Sequence, residues 1–244
     1  MKKTLTLFIG ILLVFTCVSL KAQETYKPGF VILNDNTRIS GIITLNFEQP
    51  WINQRHIYMK DSASLVMTSE KDAKARKFRF DDLKSYEVGG RVFEKVHYMD
   101  ISKLQVKSLG ANDHMLEKLA NGKITVYRYY AYLDDIYAGN SQASVQAEMK
   151  EDKDSSKRLW KMLIKKDGDD NFKDAFATNL EKYFEDTPVV LQRYQKGEYG
   201  NKPKKKGLGA KMVGLAMQAS GLDHLETDAM IAAFNDYNKE NLTK

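Results

Sequence analysis

The sequence predicts an α+β fold: an antiparallel β-rich domain, sandwich-like or a partly open barrel, followed by a small C-terminal helical part. Three observations carry this expectation. Between Pro28 and Gly168, short β-branched and aromatic runs alternate with turn residues. After Asp170 the apolar residues change to the three-and-four spacing of helices. Tyr (13) and Phe (11) are plentiful in the 244 residues and Pro (4) is scarce, a composition able to fill a core without staples.

The first strand is read at Gly29 to Leu33. Asn34, Asp35 and Asn36 tolerate turn conformations, and Arg38 to Leu45 returns as a β-branched run, which makes a hairpin. Further strands are expected over Arg55 to Lys60, Ser64 to Thr68, Lys77 to Phe80, Leu83 to Val88, Arg91 to Tyr98, Lys103 to Leu109 and Ile124 to Leu133. Gly89-Gly90 and Asn121-Gly122 are the tight-turn signals. Leu159 to Lys166 reads as a strand, with a helix beginning at Arg158 as the alternative. Beyond it, Phe172, Phe176, Leu180, Tyr183 and Phe184 predict a helix that Pro188 breaks, and Pro188 can open the next one, Val189 to Lys196. Leu208 to Leu222 and Leu225 to Tyr237 predict two more, the latter capped by Thr227 or a neighbour.

Residues 1–22 read as a signal peptide. Lys2 and Lys3 precede an apolar run from Leu5 to Leu20, and Ala22 offers a small residue before a cut at Gln23. The run is shorter than a membrane span needs, and polar residues follow at once. Export is therefore expected: to the periplasm first, with the outer membrane or the medium as alternatives, and with no transmembrane span in the mature chain. Cys17 is the only cysteine, and Val14-Phe15-Thr16 before it is not the small-residue box of a lipoprotein. Cleavage leaves no thiol for disulfide, metal or nucleophile. It also removes Lys2, Lys3 and Lys21, which takes the net charge from +6 to +3 and withdraws the charge argument for nucleic acid. The domains are then 26–168, β-rich, and 169–244, helical.

No catalytic, cofactor or metal site emerges. His56, His97, His114 and His224 never fall at ligand spacing. Gly-x-Ser-x-Gly, phosphate-loop and dinucleotide fingerprints are missing. Asp81-Asp82, Asp134-Asp135 and Asp169-Asp170 suit turns, and Asp167 to Asn171 lacks the closing glutamate of a calcium loop. Two surfaces remain. Lys202, Lys204, Lys205 and Lys206, followed by the Leu208 to Leu222 segment, suit contact with acidic head groups or a partner. Tyr127, Tyr129, Tyr130 and Tyr132, with Tyr137 beyond, offer either a glycan- or peptide-binding surface or the filling of a sheet core.

Pro28-Gly29-Phe30-Val31-Ile32-Leu33 followed by Thr37-Arg38-Ile39-Ser40-Gly41-Ile42-Ile43 resembles the opening of an uncharacterised family of exported Bacteroidota proteins. Phe80 to Tyr86 before a glycine turn, Gly122 to Tyr127, Tyr183 to Pro188 and Tyr237-Asn238 extend the likeness. Asn34 to Thr37 departs from that family's glycine-bearing turn. The resemblance implies export and the order of sheet then helices, and no activity. The expected function is a non-enzymatic envelope protein that binds a protein or glycan. The alternatives are a carboxylate hydrolase of glycans or peptides and a peripheral membrane protein held through 202–206.

Overall fold

Turn chemistry sets the strand pairing. Gly89 and Gly90 have φ of 55° and 79°, the paired positive values that a two-residue hairpin turn demands, and they join strands that pair from Val88↔Arg91 back to Ser85↔Glu94. Asn36 takes φ 68° in the turn that joins the first two strands. The computed structural model describes residues 26–99, 112–130, 160–202 and 226–242.

Within these residues the strands are β1 (Lys27–Leu33), β2 (Arg38–Thr44), β3 (His56–Asp61), β4 (Arg76–Arg79), β5 (Leu83–Val88), β6 (Arg91–His97), β7 (Asp113–Ala120), β8 (Ile124–Tyr129), β9 (Lys161–Lys166) and β10 (Lys173–Asp174). They form one ten-stranded sheet in the order β10-β9-β8-β7-β6-β5-β1-β2-β3-β4. Every pairing is antiparallel, and β10 and β4 are free edges, so the sheet is open. The helices are α1 (Ser62–Met67), α2 (Leu180–Tyr183), α3 (Pro188–Lys196) and α4 (Thr227–Glu240). The fold is α+β, a β-rich body with a small helical part, as the sequence predicts.

The two faces of the sheet are filled differently. On the inner face, alternate residues of β1 to β7 form one core: Val31, Ile43, Ile57, Met59, Phe78, Tyr86, Phe93 and Met115. Further along the same face, Ile124, Val126, Met162 and Ile164 pack under α2, α3 and α4, against Phe184, Val190, Phe234 and Tyr237. Strands β8 and β9 thus share a second apolar core with the helical end, apart from the first. The β2–β3 connection, with a 3-10 turn at Pro50–Gln54, reaches back over the inner face: the Tyr86 hydroxyl donates to the Asn53 carbonyl, and Gln54 exchanges hydrogen bonds of 2.8 and 2.7 Å with the backbone of Tyr130. On the outer face, Val96, Leu116, Tyr127, Tyr129 and Leu163 form a third cluster under Tyr98 and Phe172.

Three expectations are corrected. Ser64 to Thr68 is not a strand but lies in α1, because the Asp61 carboxylate caps the Ser64 amide at 2.7 Å and starts a helix there. The helix expected from Phe172 to Phe184 is replaced by edge strand β10, a turn held by Asp174, and the one-turn α2 capped by Asn179. Phe172 packs on the outer face while Leu180 and Phe184 fill the inner core, which a single helix face could not do. Strand β7 was not foreseen at all. Pro188 does open α3 and Gly197, φ 76°, closes it; α4 starts at Thr227 with no side-chain cap. The strand expected over 103–109 and the helix over 208–222 lie outside the described residues.

Candidate ligand-binding surface

The tyrosines separate. Tyr127 is buried and its hydroxyl donates to Glu94 Oε2 at 2.9 Å; burial, then Glu94, pushes its pKa up. Tyr129 is buried edge-on against Tyr98 and His114. Both fill the outer cluster. Tyr130 belongs to the other face, where burial raises its pKa and the charges of Arg128 and Arg91 oppose that rise. Tyr132 and Tyr137 lie outside the described residues, as do Lys204, Lys205, Lys206 and His224. Lys202 is exposed, and its backbone amide donates to Glu226 Oε1 at 3.1 Å.

Asp134 and Asp135 also lie outside the described residues, and several of the other residues weighed from sequence have structural partners. His97 pairs with Asp113 at 2.8 Å, and His114 is buried against the Tyr98 carbonyl. The Asp82 carboxylate accepts from the Arg79 amide. Asp169 holds Lys173 and the Tyr183 hydroxyl, and these partners, Tyr183 first, lower its pKa to about 2. Asp82 and Glu87 stand at opposite ends of β5, about 16 Å apart at the usual strand rise. Glu94 is held by Lys118 and Tyr127. Among the described residues, no three His, Cys, Asp or Glu side chains gather as a metal would need.

What the register assembles instead is a basic surface on the outer face of β1 to β4. The pairs Ile32↔Arg38, Phe30↔Ser40, Ile42↔Lys60, Thr44↔Tyr58, Tyr58↔Lys77 and His56↔Arg79 all point outward. Arg38, Lys60, Lys77 and Arg79 therefore share one face with Phe30, His56 and Tyr58. None of the outward positions on these four strands is a carboxylate; on the neighbouring β5 Glu87 stands opposite Phe30, and beyond β4 the Asp82 carboxylate accepts from the Arg79 amide. Among the described residues these four cations form no ion pair. Three of them rest on rings or backbone: the Arg38 guanidinium lies 3.7 Å from the Phe30 ring centre, Lys77 Nζ lies 5.9 Å from that of Tyr58, and Lys60 donates to the Glu70 carbonyl. His56 stands edge-on to Tyr58 at 5.6 Å, and burial, then Lys77, Arg79 and Arg55, lowers its pKa. Tyr58 is 42% exposed.

Sequence reading missed this surface because its members are spread from residue 30 to residue 79 and never form a run; only the strand register shows them as neighbours. No family model matches the chain, and neither a curated protein nor a solved structure matches it.

Proposed function

We propose that the protein is an exported, non-catalytic envelope protein, of the Bacteroidota kind its opening strands resemble, and that it binds an acidic polysaccharide on the outer face of β1 to β4. The observation that carries this reading is a sheet face with four cations, three aromatic rings and no carboxylate at its outward positions. Four like charges on neighbouring strands repel, and a polyanion laid across them relieves that repulsion. The exposed Tyr58 ring offers a flat apolar surface to a sugar, while Lys77 and Arg79 supply donors at its border. The engagement of Asp82, Glu94, Asp113, Glu117 and Asp169 in caps and ion pairs favours binding over hydrolysis. Among the described residues no helix is long and apolar enough to cross a membrane.

The test titrates residues 23–244 with polygalacturonate and with neutral dextran. Binding is expected for the acidic polymer alone, weakening several-fold as salt rises from about 50 to about 200 mM. The variant R38Q/K60Q/K77Q/R79Q is expected to lose at least about tenfold in affinity with its melting temperature kept, since exposed charge removal costs little stability. Equal binding of dextran, or full affinity in the variant, would overturn the proposal.

A further inference from the structure

On the opposite face, between its two apolar cores, the sheet carries a cross-strand row of charge. Glu117 of β7 stands directly opposite Arg128 of β8 and, since its direct partner on β6 is Phe93, diagonal to Arg91 two residues away on the same face. Arg91 holds Glu117 in a fork, Nε to Oε1 at 2.7 Å and Nη2 to Oε2 at 2.8 Å; Arg128 Nη1 adds a third bond to Oε2 at 3.0 Å. The Glu117 side chain is only 11% exposed. Two guanidinium charges thus meet one carboxylate, and the row carries a net charge of +1 inside the fold. Charge matching is not complete, and neither is hydrogen bonding: Arg128 Nε is buried with no hydrogen-bond partner among the described residues.

The surroundings supply a floor and a wall. The Arg128 guanidinium lies 4.4 Å from the centre of the Trp160 ring, and Arg91 lies 5.2 Å from that of Phe93. The charges of both arginines oppose the rise that burial imposes on the Tyr130 phenol. Gln54 fixes Tyr130 by bonding both its backbone amide and its carbonyl, so Gln54 is a positioning residue for that ring. Access exists from the Arg91 side, whose side chain is 36% exposed.

We propose that Arg91, Arg128 and Tyr130 form a binding site for one small carboxylate, seated beside Trp160 on the inner face. A partly buried excess charge is costly, and a monoanion cancels it without adding a second. The guanidinium N–H groups left over from Glu117 suit the two oxygens of a planar carboxylate, and the Tyr130 hydroxyl adds a donor. The site is separate from the polysaccharide face and does not depend on it.

Trp160 fluorescence reports it directly. In residues 23–244 carrying Trp51→Phe, titration with acetate and with propionate is expected to give a saturable change in Trp160 emission, and inorganic phosphate a weaker one. Arg91→Lys keeps the charge and loses the fork, and is expected to weaken binding about tenfold or more while the far-ultraviolet spectrum stays that of the parent and the melting temperature falls but leaves the variant folded at the titration temperature. Arg91→Gln should weaken it further. The proposal is overturned by the absence of a saturable response to either carboxylate, by saturation with phosphate alone, or by unchanged affinity in both Arg91 variants. Any of these outcomes would leave the row as a structural tie between the two cores.

Discussion

His114 shows what one buried titratable side chain imposes. It is 5% exposed, its Nε2 lies 2.9 Å from the Tyr98 carbonyl and its ring stands against Tyr129. Burial lowers its pKa from 6.5 to about 4. Above pH 6.5 the ring is neutral in both folded and unfolded chains and does not affect the balance. Between pH 6.5 and about 4 only the unfolded chain takes up the proton, so stability falls as pH falls; below that both forms are protonated and the effect levels off. The shift corresponds to a loss on the order of 3 kcal/mol at most. The melting temperature should therefore drop between pH 6.5 and 4. His114→Gln should flatten that slope more than His56→Gln, whose ring is shifted the same way but lies nearer the surface. Identical slopes in parent and His114→Gln would assign the acid sensitivity to other groups.

At the scale of elements, α4 is attached to the sheet by side-chain amides that imitate a strand. Asn238 Oδ1 accepts from the Ile124 amide and Asn238 Nδ2 donates to the Ile124 carbonyl, both at 2.8 Å and both buried. Asn241 reaches Thr187 and accepts from Lys123, while Tyr237 and Lys166 share Asp186. Asn238→Ala leaves two buried backbone groups unpaired and should cost about 2–4 kcal/mol in denaturant melts. Gly122 has φ 150°, and a Cβ there would meet Asn238 Cγ at 2.6 Å, so Gly122→Ala should act in the same direction through the same contact. The Asn121-Gly122 signal was legible in the sequence; the amide clamp behind it was not, because it joins residues 114 positions apart. The β1–β2 and β5–β6 hairpins and β8 were legible for the usual reason, β-branched residues between turn formers. Strand β7 was not: Asp113-His-Met-Leu-Glu-Lys-Leu-Ala holds no β-branched residue, and its Glu117 and Lys118 read as solvent-facing. Their partners Arg91, Arg128 and Glu94 lie on neighbouring strands, so only the register explains charge at the centre of a sheet. The signal that could have found β7 was the turn itself, since a tight turn before β8 needs a strand on both sides.

At the scale of the whole molecule, the question is whether the two inner cores unfold together. Three features cross between them: the β6–β7–β8 strand pairing, the Arg91–Glu117–Arg128 row and the Gln54–Tyr130 exchange. Opposing them is the irregular register between Lys118 and Ala120. Each core has its own reporter, because the chain has two tryptophans. Trp51 is buried in the β2–β3 connection near Tyr86, and Trp160 packs against the helical core. Ladder hydrogen bonds and buried charge pairs shared by both halves are worth several kcal/mol jointly, more than a single register irregularity removes, so one cooperative transition is expected. Phe234→Ala opens a cavity under α4 and should remove about 3–5 kcal/mol. If the molecule melts as one unit, that variant lowers the midpoint seen by Trp51 in a Trp160→Phe background as much as the midpoint seen by Trp160 in a Trp51→Phe background. A shift confined to Trp160 would show that the helical end and β8–β9 leave the rest of the sheet first, with the charged row as the boundary between two folding units.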